Sequence, residues 1–308
     1  MNRFSELDVA AWREDGFAIV PDFFSAQELA PVVADYERLY GTIGEGGGQA
    51  IDEKGPGDIG ALGEFRDKQF KYIDTLPYEG SEELNLLSLH PVLISFSRAL
   101  LGVDDVQLYQ SHTWAKYTGE TDYDQDFHCD FSNHTLVVPS DDQALRTVDF
   151  IIYLTDVTDE LGALHYVPKQ KAADILGDGR IGAFDPSKQV ALKAVELSAA
   201  STAGTLVAHS IDTFHRGTNL TQDKGYRFTM TAGYKAAGND MIAYHAWQQT
   251  GNNDWSQIMS GASPEQLRCL GIPEPGHPFW TTRTLKLTRA RWPEMNMAPY
   301  FAAAGVAI

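Results

Sequence analysis

Along the first hundred positions, apolar residues recur at the spacing of helices. Ser5 is placed to cap a helix that runs through Trp12 and stops at Gly16, and Phe17–Val20 follows as a short strand. Ser25 caps a second helix, in which Leu29, Val32, Val33, Tyr36 and Leu39 form one apolar stripe, and a third helix is predicted from Ser81 to Leu101. Between the second and third, Gly41 to Gly63 is glycine-rich and polar, which reads as a flap or an excursion from the domain. After Leu101 the period changes. Short β-branched and aromatic segments alternate with turn signals at Val106–Tyr117, Tyr123–Phe131, Thr147–Thr155, Ala163–Val167, Gln189–Leu197, Thr205–Ala208 and Tyr226–Tyr234. Strands without long intervening helices predict an antiparallel sandwich or barrel. With no repeat and no linker, residues 1–308 read as one domain. Its expected parts are a helical segment (1–100), a β core (101–236) and a cap or lid (237–308) carrying Trp247, Trp255, Trp280 and Trp292.

Charge narrows the function. Aspartate and glutamate total 42 against 24 lysines and arginines, a formal net charge of -18. That surplus argues against partners held by cations, so neither nucleic acid nor an anionic membrane is expected. Two cysteines, Cys129 and Cys269, are too few for a disulfide framework or a cysteine-rich zinc site. The N-terminus lacks the uninterrupted apolar core of a signal peptide, and Phe150–Leu154 is the longest apolar run near the middle, so a cytoplasmic protein is expected. Gly177-Asp178-Gly179-Arg180-Ile181-Gly182 matches the dinucleotide fingerprint only in letters, because no strand precedes it and Pro186 interrupts any helix after it. It reads as a surface turn.

The informative stretch is Asp126-Phe127-His128-Cys129-Asp130-Phe131. In extended chain, alternate side chains share a face, so His128 and Asp130 project together and Cys129 points away as buried apolar filler. An imidazole and a carboxylate about 6–7 Å apart along a strand can grip one metal ion. A non-haem Fe(II) oxygenase needs such a pair plus a second histidine, which leaves three adjacent positions open. His215 is the candidate because Tyr226-Arg227-Phe228-Thr229 comes soon after it. On that last strand Arg227, Thr229 and Thr231 share one face, and Tyr226, Phe228 and Met230 the other. A guanidinium and a hydroxyl facing a barrel interior suit capture of a carboxylate.

Taken together, His128-Cys129-Asp130, His215 and Arg227-Phe228-Thr229 resemble the phytanoyl-CoA dioxygenase family of Fe(II)/2-oxoglutarate-dependent oxygenases. The resemblance spans roughly residues 10–236 and includes Asp15–Asp22 and Glu160–Pro168. It implies a double-stranded β-helix, or jelly roll, with the metal at its mouth. It also implies His128, Asp130 and His215 as iron ligands, and Arg227, assisted by Thr229, as the partner of the 2-oxoglutarate distal carboxylate. Gln110 and Lys116 fall where relatives contact the cosubstrate. Leu161 stands in the family's E-N-G asparagine position, Lys169-Gln170-Lys171 replaces G-S-H, and Gly204-Thr205 replaces Gly-Asp, which alters turns and not the metal set. Relatives that halogenate lack the carboxylate that Asp130 supplies.

The expected activity is oxidation, by default hydroxylation, of a small organic metabolite, with 2-oxoglutarate and O2 converted to succinate and CO2. Asn133 and His134 are candidates to face the substrate, and His90, His165 and His209 read as structural, core or turn residues. No Lys/Arg cluster near the motifs suits a CoA nucleotide, so a free metabolite is favoured over a CoA ester. Self-association remains open. Two alternatives stand beside this reading: a cupin-like metal enzyme that uses no 2-oxoglutarate, and a non-catalytic jelly-roll binding protein.

Overall fold

The computed structural model describes residues 3–41, 72–118, 124–136, 138–177, 185–244 and 255–306. The Gly41–Gly63 loop beyond Gly41, Asp178–Gly182 of the glycine-rich turn, and Trp247 lie outside the described residues. Helix α1 (Glu6–Asp15) opens on a capping box between Ser5 and Asp8 and ends at Gly16, whose φ of 90° is left-handed. A Cβ at Gly16 would lie 2.5 Å from Thr213 Oγ1, so the glycine also permits close approach. Its carbonyl accepts from Ser210 N at 2.9 Å and Thr213 Oγ1 at 2.7 Å, tying the first turn of the chain to the loop before His215.

Strand β1 (Phe17–Val20) leads to α2 (Ala26–Tyr40), capped by Ser25 and Glu28, and then to β2 (Tyr72–Thr75). The predicted third helix is broken into α3 (Glu82–Leu87) and α4 (Pro91–Leu101). Pro91 sits at the first position of α4 and cannot donate into a preceding turn, so the chain bends at Ser88–His90. The whole stretch Glu82–Leu101 has the length and mean hydropathy, 1.4, of a membrane span. Its apolar side is instead spent on the core, where Leu84, Leu93, Ile94, Phe96, Leu100 and Leu101 are buried.

The remaining strands are β3 (Val106–Tyr117), β4 (Thr147–Tyr153), β5 (Leu164–Val167), β6 (Leu197–Ser198), β7 (Leu206–Ser210), β8 (Phe214–Gly217) and β9 (Tyr226–Ala236). They form two antiparallel sheets, ordered β1-β7-β4-β9-β3-β2 and β6-β5-β8, the jelly roll expected from the sequence. Strands β1 and β2 come from the first hundred residues, so that segment completes both edges of the larger sheet as well as covering it.

The larger sheet has two unlike faces. Val148, Phe150 and Ile152 of β4 and Phe228, Met230, Ala232 and Tyr234 of β9 point outwards to the helices, where Phe150 stacks on Phe96 at 5.6 Å. The inward face, turned towards the smaller sheet, carries polar residues in cross-strand rows. One row is Phe17, His209, Asp149, Gly233 and Gln110; at the far end of β9, Arg227 lies opposite Lys116.

Two predicted strands are corrected. Gln189–Leu197 is mostly helix: α7 (Pro186–Lys193) follows α6 (Lys169–Leu176) and starts from Asp185, whose carboxylate accepts from Ser187 N at 2.8 Å, with Pro186 pre-set at its first position. Tyr123–Phe131 forms no ladder among its described residues; it follows β8 through the His128–His215 bridge and a hydrogen bond from Gln125 N to Gly217 O at 3.0 Å, and turns into the one-turn α5 (Phe131–His134). The C-terminal cap begins beside α5, with Ala243 N donating to His134 O at 3.0 Å. It then continues through α8 (Ser256–Gly261), α9 (Pro264–Cys269), α10 (Thr282–Arg291) and α11 (Ala298–Ala303).

Candidate metal centre

Three backbone devices hold the H-x-D segment. The Gln189 side-chain amide pairs with both backbone groups of Phe127, accepting from N at 2.8 Å and donating to O at 3.0 Å. One residue on, His128 and His215 exchange both backbone hydrogen bonds at 3.0 Å. Cys129 turns away and is buried, its thiol donating to Asp212 O. Asp130 then enters helical backbone (φ -79°, ψ -12°), so its carboxylate swings beside His128 without a regular strand beneath it.

Strand β8 delivers the third group. One ligand atom each from His128, Asp130 and His215 lies within 4.8 Å of the others. His128 Nε2 is 3.7 Å from Asp130 Oδ1, and His215 Nε2 is 3.6 Å from Oδ2. Both imidazoles are oriented from behind: His128 Nδ1 donates to Asp126 O at 2.9 Å and His215 Nδ1 to Thr213 O at 3.0 Å. Each Nε2 is thereby left as a lone pair facing the carboxylate, the form a metal ligand requires. Burial pushes the His215 pKa down to about 3, against the pull of Asp130, and keeps the ring neutral. Burial would raise the Asp130 pKa, but its contacts with the surrounding imidazoles, the His209 hydrogen bond among them, hold it well below the usual range. A carboxylate and two neutral imidazoles fit Fe(II), a borderline cation that takes mixed N and O ligands.

Arg227 and Lys116 lie at the other end of the inward face, 4% and 3% exposed. The Arg227 guanidinium donates to Gly162 O and Lys116 Nζ to Thr218 O at 3.0 Å. Burial lowers the Arg227 pKa to about 10, partly offset by Tyr153. Thr229, 5% exposed, is the next inward residue on β9, opposite Trp114 and Tyr153.

Gln110 lies at the metal end. Its amide donates to Asp149 Oδ1 at 2.6 Å and Tyr109 Oη at 2.9 Å, while the Tyr109 and Thr147 hydroxyls also donate to Asp149. His134 is buried with its ring edge-on to Tyr109, whereas its neighbour Asn133 is exposed. Sequence reasoning missed Asp149, an acidic residue inside the apolar run Val148–Tyr153, and took His209 for core or turn. His209 is buried, but its Nε2 lies 3.4 Å from Asp130 Oδ2. Alternation along Leu206–Ser210 was the available signal, since it puts His209 on the inward face with Val207. The glycine-rich turn opens at Gly177, directly after α6, so a helix and not a strand precedes it.

The phytanoyl-CoA dioxygenase (PhyH) family profile matches residues 12–228. No curated protein matches the chain by sequence. Among solved structures, it is similar to the non-haem α-ketoglutarate-dependent carbocyclase SnoK from nogalamycin biosynthesis, at 22% identity and a TM-score of 0.57, over 80% of this chain and 89% of that one. EvdO2 from Micromonospora carbonacea var. aurantiaca aligns at 19% identity and a TM-score of 0.54, over 82% and 98%. The epimerase SnoN, in complex with Fe3+, α-ketoglutarate and nogalamycin RO, aligns at 19% identity and a TM-score of 0.52, over 75% and 83%.

Proposed function

The chain belongs to the phytanoyl-CoA dioxygenase family of Fe(II)- and 2-oxoglutarate-dependent oxygenases, and from that premise we propose that it hydroxylates a small free metabolite. The observation that carries the reading is the convergence of His128, Asp130 and His215, with both imidazoles presenting a bare Nε2 to the same carboxylate. When bound there, iron with 2-oxoglutarate and O2 supplies the oxidising chemistry and yields succinate and CO2.

The chain's own residues have separate tasks. His128, Asp130 and His215 would hold the metal, three ligands that leave coordination positions for the cosubstrate and O2. Arg227 receives the distal carboxylate of the cosubstrate, with the Thr229 hydroxyl beside it and the Lys116 ammonium across the strand pair. A planar fork suits a carboxylate bidentately, and burial strengthens the pair once formed. Gln110, in the same cross-strand row as Asp149 and His209, is assigned to the carboxylate that would bind beside the iron. His134 and Asn133, in the turn that follows Asp130, are assigned to the substrate. Ile151, Tyr153 and Val207 on the inward sheet face keep this interior dry.

A free metabolite is favoured over a CoA ester by the charge of -18 and by the lack of a cationic cluster near the metal motifs in the sequence. The nogalamycin enzymes support a natural-product intermediate of this kind. The test begins with anaerobic addition of Fe(II) and 2-oxoglutarate to the metal-free protein. A weak visible charge-transfer band is expected, and it disappears in Arg227→Ala and in His215→Ala. Metal binding without the band would refute the 2-oxoglutarate assignment. A metabolite panel scored by succinate release then finds the substrate, and a product carrying one added oxygen distinguishes hydroxylation from ring closure or epimerisation.

A further inference from the structure

We propose that His209 is a positioning residue of the metal centre, donating a hydrogen bond that fixes the Asp130 carboxylate and leaves its Oδ1 for the metal. The inference deepens the metal assignment above and rests on it.

Strand β7 runs between β1 and β4, which sets His209 in register with Phe17 on one side and Asp149 on the other. Its side chain is 2% exposed and points inwards. The ring lies 4.7 Å from that of His215 and 5.6 Å from that of Tyr166, so it is wedged against the metal set. Nε2 is 3.4 Å from Asp130 Oδ2, and Nδ1 is 3.2 Å from the Tyr166 hydroxyl.

One distribution of protons serves both contacts. As a metal ligand Asp130 is a carboxylate, and its oxygens can only accept. His209 must therefore carry its proton on Nε2, and the Tyr166 hydroxyl, a donor as well as an acceptor, gives its proton to Nδ1. His128 and His215 have the opposite tautomer, because their Nδ1 atoms donate to carbonyls. Three imidazoles thus surround one carboxylate, and their outer contacts sort them: two present lone pairs and one presents a proton. The protonated nitrogen does not ligate; it occupies Oδ2. A carboxylate engaged in this way would offer a metal one oxygen, the other being taken by the His209 hydrogen bond. Tyr166 backs the arrangement, stacking on Phe17 at 4.8 Å and on His215 at 5.7 Å.

The test uses the full chain, freed of metal and titrated anaerobically with Co(II), whose d–d absorption reports both affinity and coordination number. Losing an outer-shell partner typically costs about 10–100-fold in metal affinity, and that is the rise in Kd expected for His209→Ala. His209→Gln, whose amide can donate to the same oxygen, should recover most of the loss. Tyr166→Phe keeps the stacked ring and removes only the hydroxyl, so it should weaken binding less than His209→Ala. The double variant His209→Ala/Tyr166→Phe should bind no worse than His209→Ala alone. Thermal unfolding of the metal-free variants checks that each is folded, and Tyr166→Phe with His209→Gln carries the test if His209→Ala is not. A folded His209→Ala or Tyr166→Phe with an unchanged Co(II) Kd would overturn the inference while leaving the metal set standing. Loss of coordination number in His209→Gln would overturn it as well, by making His209 a ligand. A parent chain that binds no Co(II) would refute the metal assignment itself.

Discussion

Replacing Arg227 with methionine separates binding from stability more sharply than any other substitution at the proposed cosubstrate site. The guanidinium is buried, and the fall of its pKa from 12.5 to about 10 reflects a charge held at a cost. At about 1.4 kcal/mol per tenfold change, that cost is on the order of 3 kcal/mol. Methionine removes it, together with the charged hydrogen bond to Gly162 O, which contributes about 1.5–3 kcal/mol. The two nearly cancel, so the unfolding temperature of the metal-free variant should stay within a few degrees of the parent. Binding behaves otherwise. Removing one partner of a buried ion pair costs about 3–5 kcal/mol, so the Kd for 2-oxoglutarate should rise roughly 10²- to 10³-fold or more. The assay is thermal unfolding of the Co(II)-loaded protein under argon, with and without 2-oxoglutarate at one hundred times the parent Kd. At that ratio the parent gains about 2.7 kcal/mol, whereas a variant weakened a hundredfold gains only about 0.4 kcal/mol. For a chain of this size the corresponding shifts are about 5 °C and about 1 °C. Arg227→Lys should fall between them, since it keeps the charge and loses the fork. A full ligand-induced shift in Arg227→Met would refute the reasoning, as would a metal-free variant that unfolds many degrees early.

Gly233→Ala should destabilise the protein by about 1–3 kcal/mol through overpacking, because its Cβ would lie 2.5 Å from both Asp149 Oδ1 and Gln110 Cγ; urea unfolding with an unchanged midpoint would count against this packing. Phe150→Ala empties a fully buried position on the outward face and should cost about 3–5 kcal/mol in the same experiment, while Co(II) affinity of the folded variant stays at the parent value. Burial favours the protonated form of Asp212, but Lys169 and Arg146 outweigh it and hold its pKa below the usual value. A depressed folded-state pKa contributes stability above the unfolded value, near 3.9 for aspartate, and that stability is lost as pH falls through the lower folded value. Asp212→Asn should therefore flatten the acid limb of the stability–pH curve below about pH 4, and a parallel curve would exclude the role.

The convergence of His128 and Asp130 was legible because its signal is short-range. Two-residue spacing needs only one extended residue between His128 and Asp130, so the geometry survives although the predicted strand shrinks to a single bridge. Arg227 and Thr229 were legible for the related reason that Tyr226–Ala236 is a long regular strand whose alternation holds throughout. His209 was not. Alternation along Leu-Val-Ala-His-Ser groups it with Val207, but its approach to Asp130 follows only once β7 is in register with β4, and that pairing joins residues some sixty positions apart. The Gln189 clamp on Phe127 was hidden in the same way: it needs α7, whose Asp185-Pro186 start is a readable cap that the valines and leucines of 189–197 obscured. The break before α4 was also readable, from Pro91 alone.

The inward face of the larger sheet shows why such a site can be built without unfolding its host. Burying polar side chains is costly when they lack partners. Here Trp114 Nε1 donates to Thr231 Oγ1 at 2.7 Å, Lys116 to Thr218 O, Arg227 to Gly162 O, and Tyr109, Gln110 and Thr147 to Asp149. The apolar layer that stabilises the fold lies on the other side of the same strands, so β9 carries packing on Phe228, Met230 and Tyr234 and polar chemistry on the residues between them. Two groups of opposite charge also stand apart on the polar face. Lys116 and Arg227 stand at one end, and Asp149 with Asp130 at the other, separated along β9 by the six residues from Arg227 to Gly233, about 20 Å of strand. Long side chains shorten that gap from both ends. Lys235, further along the same face, is committed to the Asn239 and Ile242 carbonyls at 2.9 Å, so an anion entering this interior would be drawn to Arg227 and Lys116 and a metal ion to the carboxylates.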